Sequence, residues 1–108
     1  MKKLLLIFGL SLGLSSPALG WYTTGNALYA DCKKDAELWK QAICTGYVTA
    51  IADMQDAYTI STKSCVPQGA TIRQLIDIVM AYFRDNPQTR HAPAAQQVTL
   101  ALSKAFPC

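Results

Sequence analysis

Residues 36–58 read AELWKQAICTGYVTAIADMQDAY, and this stretch decides the fold. Its apolar residues recur at steps of three and four, which is the period of one helical face. We therefore predict a helix over 36–58 and an N-cap at Asp35. Gly46 costs about 1 kcal/mol against alanine inside a helix, so we expect another backbone to pack closely beside it. The side chains predicted to face inward are Trp39, Ile43, Tyr47, Ala50, Ile51, Met54 and Tyr58.

Three shorter helices are predicted around this one, over 24–32, 71–86 and 93–105. The second of them begins at a capping box and ends before a proline, because the residue before proline avoids helical geometry. No stretch alternates as a strand does, so we predict an all-α fold, a small four-to-five-helix bundle. The residues that mark these helix ends are Thr24, Thr71 with Gln74, Asn86-Pro87, and Pro93 in the first turn of the last helix. The inward positions are Leu28, Tyr29, Ile72, Leu75, Ile76, Val79, Tyr82, Phe83, Ala94, Val98, Ala101, Leu102 and Ala105.

The N-terminus has the layout of a secretory signal peptide. Lys2 and Lys3 precede an apolar run, Leu4–Leu14, and small residues follow at Ala18 and Gly20. The run is shorter than the roughly 20 residues that span a bilayer. We therefore predict that residues 1–20 are cleaved off and that 21–108 form one periplasmic domain without membrane contact.

The charge balance argues against a nucleic-acid partner. Without Lys2 and Lys3, eight basic residues remain against seven acidic ones, so the mature charge is +1. Domains that bind nucleic acid carry a dense basic face. Lys33-Lys34 is the only adjacent basic pair in the mature part, and we interpret it as a solvated turn.

Four cysteines in a small exported chain predict two disulfides. Their spacings of 12, 21 and 43 residues contain no C-x-x-C, so a zinc site is not expected. Three pairings are open on sequence alone. We favour Cys32–Cys44, which closes a short local loop, and Cys65–Cys108, which tethers an end that would otherwise fray.

Little in the sequence indicates catalysis. His91 is the only histidine, and beside a proline it is more typical of a cap or a surface residue than of a catalyst. Asp53 and Asp56 stand three residues apart, but solvated helix carboxylates are far commoner than catalytic pairs. We predict a protein that is not an enzyme, has no cofactor or metal, and acts through its surface. Four aromatic residues either cover the core edge or mark a partner surface: Trp21, Tyr22, Tyr29 and Tyr58.

The run from Cys44 to Asp53 also has a recurrent form. Cys44-Thr45-Gly46-Tyr47-Val48, with Ile51 and Asp53, resembles the C-x-G-Y-[IV]…[IV]-x-D signature of the Rap/Tai group of type VI secretion immunity proteins. Ala50 departs from the pattern, since members often have a second glycine there. The other matching positions follow in the same order: Gly25-Asn26, Leu28, Cys65-Val66-Pro67, Gly69, Thr71, Gln74-Leu75, Val79, Tyr82-Phe83, Asn86-Pro87, Arg90-His91 and Ala105-Phe106-Pro107-Cys108.

The resemblance implies a helical, dimeric periplasmic protein that binds and inhibits a peptidoglycan-degrading amidase effector of a type VI secretion system. It also implies structural roles for the shared residues, among them Gly25, Asn26, Gly46, Tyr47, Asp53, Pro67, Gly69, Gln74, Pro87, His91 and Pro107.

The signature does not identify the inhibitory surface. We predict that the loop over 59–70 enters the effector groove, with Ile60, Thr62 and Lys63 as contacts. The alternative is a general envelope protein, a stress holdase or adaptor without a toxin partner. Such a holdase needs titrating groups that expose apolar surface in acid, and only one histidine is present.

Overall fold

The computed structural model describes residues 22–57 and 63–108. These ranges contain no β-strand, and one isolated bridge joins Thr24 to Pro93. The predicted all-α bundle is therefore confirmed. The elements are α1 (Gly25–Asp31), α2 (Leu38–Ala57), α3 (Ile72–Asp85), a 3-10 helix (Pro87–Thr89) and α4 (Ala94–Ala105).

The predicted signal peptide and Trp21 lie outside the described residues. Within the part of the chain that is described, no helix has both the length and the apolar character needed to span a membrane.

The helix ends follow from local sequence. The Thr24 hydroxyl caps α1 by accepting from the Ala27 N–H at 3.2 Å. At the start of α3 the predicted capping box is present: the Thr71 N–H donates to Gln74 Oε1 at 2.7 Å, and the Gln74 N–H donates to Thr71 Oγ1 at 3.2 Å. Asn86 ends α3, as expected of a residue before proline. Pro93 lies just before the first residue of α4 rather than inside its first turn.

The core lies between α3 and α4, with α1 and α2 packed against both. Phe83 is fully buried at its centre, and its ring meets Tyr29 edge to face at a centroid distance of 5.9 Å. Most of the predicted inward positions are confirmed, but Ala105 is exposed at the end of α4, and Gln97 is buried instead. The side chains with no solvent exposure include Leu28, Val48, Val79, Val98 and Leu102.

Both disulfides have the favoured pairing. Cys32–Cys44 joins the end of α1 to α2, and Cys65–Cys108 joins the segment before α3 to the segment after α4. A backbone hydrogen bond of 2.9 Å from the Cys65 N–H to the Phe106 carbonyl reinforces the second link.

Helix α2 is rotated relative to the prediction. It begins at Leu38, so Asp35 lies in the preceding turn and does not cap it. Its buried residues are Cys44, Val48, Ile51 and Gln55, so Ile51 alone of the predicted stripe is buried. The rotation has a physical cause: α2 carries apolar side chains on both faces, and the bond from Cys44 to Cys32 turns the Cys44 face inward. The residues predicted inward but found exposed are Trp39, Ile43, Ala50 and Met54; Tyr47 is half-buried, and Tyr58 lies outside the described ranges.

Candidate functional site

One side of α2 carries a row of exposed apolar residues. Trp39, Ile43 and Met54 are 58%, 45% and 41% exposed, and Gly46 and Ala50 lie between them, also exposed. These five residues, which we call the α2 stripe, fall on one side of the helix because their steps are three and four. A continuous exposed apolar surface on a small protein marks an interaction site.

Gly46 stands in open space at the middle of the α2 stripe. A Cβ built on it would have no neighbouring atom within 4 Å, so no described part of this chain packs closely beside it. A glycine inside a helix is destabilising by about 0.5–1 kcal/mol. Its position gives a second molecule access to the α2 backbone between two larger apolar side chains.

The indole of Trp39 is held in place by its own neighbours. Its Nε1 donates to Glu37 Oε2 at 2.8 Å, and the Lys40 ammonium lies 5.4 Å from the ring centroid. Lys40 and Glu37 also pair at 4.0 Å. A side chain already held in one arrangement loses less entropy on binding, so the stripe presents an ordered anchor.

The predicted contact loop over 59–70 falls within the described residues only from Lys63 onward. Ile60 and Thr62 lie outside the described residues, and Lys63 is exposed. The next residue, Ser64, is buried, and its hydroxyl donates to Gln55 Oε1 at 3.2 Å. The Gln55 amide in turn donates to the Thr99 carbonyl of α4 at 3.3 Å. The middle of the loop is thus attached to α2 through Ser64, to α4 by way of Gln55, and to Cys108 through Cys65.

The burial of Gln55 is not predicted by the apolar pattern of the sequence. Gln55 is fully buried, whereas the apolar pattern alone leaves a glutamine outside the core. The signal that finds it is the spacing from Cys44: steps of four, three and four lead through Val48 and Ile51 to Gln55. The disulfide-bonded Cys44 thus identifies the buried face of α2 better than the periodicity of its apolar residues does.

Gly25 is explained by the contact between α1 and the turn before α4. The Gly25 N–H donates to the Ala92 carbonyl at 2.9 Å, and the Asn26 N–H donates to the Arg90 carbonyl at 2.7 Å. A Cβ on Gly25 would lie 2.7 Å from the Arg90 carbonyl oxygen and would also collide with the Gln97 amide. Only glycine lets these two backbones meet.

Gly25→Ala is therefore expected to lower the free energy of unfolding by about 1–3 kcal/mol, because the Arg90 backbone must move. Urea unfolding followed by circular dichroism measures the change. Gly69→Ala is the matched control, since a Cβ there meets nothing within 4 Å. Equal free energies of unfolding in the two variants would show that the backbone of the turn before α4 moves at little energetic cost.

Tyr47 lies on the edge of α2 nearest to α4. Burial raises the pKa of its phenol above the ordinary value of 10.0, and a hydrogen bond with the Ala95 backbone opposes that shift. Its role here is in the packing of α2 on α4.

The remaining signature residues do not form one cluster. Gln74 belongs to the capping box, Pro87 begins the 3-10 helix, and Asp53 borders an open cleft of about 390 Å³. Gln74 and Pro87 lie at helix ends, whereas Asp53 lies inside α2. The exposed members are Asn26, Gly46, Asp53, Pro67, Gly69, Gln74, Pro87, His91 and Pro107.

Candidate chemistry is sparse in the part of the chain that the structure describes. No three histidine, cysteine or acidic side chains there stand close enough to hold a metal ion. All four cysteines are committed to disulfides. Asp53 and Asp56 are exposed on α2 and line the same open cleft.

The fold and its surfaces define a small, doubly disulfide-linked helical domain with an exposed apolar helix face. Residues 24–108 match the family model of the Rap1a immunity proteins, and the chain belongs to this family. It is thus an immunity protein directed against an effector of type VI secretion. No curated protein and no solved structure matches the chain.

Proposed function

We propose that this chain is a periplasmic immunity protein that binds a peptidoglycan-degrading amidase effector and inhibits it by covering its active-site groove. Membership of the immunity family carries the proposal. The two disulfides support export, because such bonds persist in oxidising compartments such as the periplasm. The protein acts by binding, without catalysis of its own.

The test is capture of the effector by the exported full-length chain carrying a C-terminal tag. Cells with an active secretion system are fractionated, and the proteins retained from the periplasm are identified by mass spectrometry. The expected result is one amidase in stoichiometric amount, whose hydrolysis of purified peptidoglycan stops when the immunity protein reaches an equimolar ratio.

Two results would argue against this function. One is a periplasmic bait that retains no peptidoglycan hydrolase while secretion is active. The other is a retained amidase whose activity the protein leaves unchanged. Suppression of client aggregation at low pH, followed by light scattering, would then favour the general holdase.

The loop over 59–70 is proposed as the inhibitory contact, since Ser64 and Cys65 fix the end that follows Lys63. Replacing Ile60, Thr62 and Lys63 together with alanine is expected to weaken inhibition by at least about tenfold, because contact side chains contribute unevenly and a few dominate. The inhibition constant against the captured amidase measures the effect.

A matched triple variant outside the loop replaces Gln88, Thr89 and Gln96, all exposed. Both triple variants are expected to keep the circular dichroism spectrum of the wild type. If they inhibit equally well, the loop is not the contact.

The α2 stripe is proposed as the surface of a homodimer. Its residues are arranged symmetrically about the midpoint between Gly46 and Tyr47: Ile43 and Ala50 are about 5 Å from it along the helix, and Trp39 and Met54 about 11 Å. Two antiparallel copies of α2 crossing at that point would place Trp39 of one copy against Met54 of the other. Ile43 of one copy would meet the small Ala50 of the other, and the Met54 sulfur would meet the Trp39 ring, which is a favourable contact.

Ile43→Asp is expected to raise the dissociation constant of this dimer at least about 100-fold, because it buries a carboxylate in an apolar contact. Sedimentation velocity over a range of concentrations measures it. Gln96→Asp adds the same charge on an exposed part of α4 and serves as the control. A wild-type protein that stays monomeric at 100 μM, on the order of the weakest functional dimers, would remove this part of the proposal.

A further inference from the structure

Four basic side chains gather along α3 and the turn between α1 and α2. Lys33, Lys34, Arg73 and Arg84 are all exposed. Lys34, Arg73 and Arg84 line a cleft of about 300 Å³, and a smaller cleft next to it is lined by Lys33, Lys34 and Arg73. Because Lys34 and Arg73 border both clefts, the two form one basic trough.

None of these charges forms an ion pair in the described part of the chain, although the Lys33 ammonium lies 5.2 Å from the centroid of the Tyr29 ring. The one ion pair found there joins Lys40 to Glu37, outside the trough. Asp77 is the single carboxylate among the lining residues. The neighbours of the trough in sequence include three more carboxylates that line neither cleft: Asp31, Asp35 and Asp85. The trough therefore keeps four cations against one carboxylate, although the mature chain as a whole is close to neutral.

The trough has the dimensions of an extended peptide. Arg73 and Arg84 are eleven residues apart, which places them on the same face of α3 and about 16 Å apart along its axis. That distance accommodates about five residues of extended chain. Between the two arginines, Ile76 is buried, Met80 is half-buried and Asp77 is exposed. The floor is therefore apolar beside one carboxylate, and the ends are cationic.

We propose that this trough binds an extended acidic segment of the effector, and that the effector is recognised in part by this charge. The inference rests on the proposed function in taking the effector as the partner. Guanidinium groups pair with carboxylates in a bidentate way. The Asp77 carboxylate in the middle accepts hydrogen bonds from backbone N–H groups of the segment.

The shape favours a protein segment over an anionic membrane. Proteins that lie on a bilayer insert projecting apolar side chains beneath a row of cations. Here the apolar residues are recessed, with Ile76 buried and Met80 half-buried between the arginines. A protruding chain reaches such a floor, whereas a flat headgroup surface does not.

Lys33 and Lys34, which the sequence predicts only as a solvated turn, have a role in this trough. Charged patches that face an oppositely charged partner accelerate encounter and penalise wrong partners. The trough thus makes association with the effector fast and sensitive to salt, and it disfavours partners that present basic surfaces.

The test uses a defined probe, the blocked peptide acetyl-Glu-Gly-Glu-Gly-Glu-amide, titrated into the isotopically labelled protein. The expected NMR shifts cluster at Lys33, Lys34 and residues 73–84, and they weaken about tenfold or more in 500 mM salt. The variant R73A/R84A is expected to lose at least about tenfold in affinity. The control K104E, which changes the net charge by the same two units on α4, is expected to bind as the wild type does.

The captured amidase provides the second arm. Its association rate is expected to fall about tenfold or more in R73A/R84A and to stay unchanged in K104E. Equal rates in the two variants would overturn the acidic-segment inference while the immunity function stands. If no amidase is captured, the proposed function fails. The peptide titration still tests whether the trough binds an acidic segment. Peptide shifts that are scattered or equal in both variants would overturn it, as would shifts with phosphatidylglycerol vesicles and none with the peptide.

Discussion

Replacing Phe83 with alanine is expected to lower the free energy of unfolding by about 3–5 kcal/mol, the range found for buried phenylalanines. Phe83 is fully buried, and it is the largest of the side chains that have no appreciable exposure. It lies near the end of α3 and meets Tyr29 of α1 edge to face. The variant loses the burial of the ring and leaves a cavity between helices that cannot close without repacking.

A domain of this size has a total stability of about 5–15 kcal/mol, so this single change removes much of it. Chemical unfolding followed by circular dichroism measures the difference. Phe83→Leu keeps most of the volume and is the matched control, with an expected loss of about 1.5 kcal/mol or less. A loss of about 1.5 kcal/mol or less in Phe83→Ala as well would show that the core closes around the missing ring.

Removing the Cys65–Cys108 disulfide is expected to cost about 4 kcal/mol, because the link closes a 43-residue loop and restricts the unfolded chain. Both cysteines are exposed, so replacing them with alanine leaves no cavity. The loss therefore reports on the unfolded chain rather than on packing. The double variant C65A/C108A is compared with the wild type in urea.

The shorter link gives the comparison. Cys32–Cys44 spans 12 residues, for which the same loop argument gives about 3 kcal/mol, but both cysteines are buried. C32A/C44A should therefore lose packing in addition to the constraint on the unfolded chain. A loss below about 1 kcal/mol in C65A/C108A would mean that the link restricts the unfolded chain far less than the loop argument requires.

The sequence predicts α3 well because all its signals agree. The capping box, the apolar period and the proline after Asn86 each point to the same helix, and the structure contains it. Helix α2 has conflicting signals: Trp39, Ile43 and Met54 fit a helical period as well as Val48 and Ile51 do. Periodicity identifies a helix but does not choose between two apolar faces. That choice depends on Cys44 and on what the other helices offer, which is tertiary information.

The same limitation explains the candidate surfaces. A helical period of apolar residues predicts a buried face. The sequence therefore predicts that Trp39, Ile43, Ala50 and Met54 face the core, whereas all four are exposed. The basic trough joins Lys33 and Lys34 to Arg73 and Arg84, which are some forty to fifty residues further along the chain, and a sequence shows only the adjacent pair. The contact loop over 59–70 is predicted from its amino-acid composition and from the position of Cys65. Of its three proposed contact residues, only Lys63 lies within the described ranges.

The two disulfides also set when the chain can become a stable domain. Each restricts the unfolded chain by about 3–4 kcal/mol, so a reduced chain retains only a fraction of the stability of the oxidised one. Folding to the stable domain is therefore expected to be complete only after oxidation has closed both bonds. A reductant that opens them would weaken the domain without any change in its sequence.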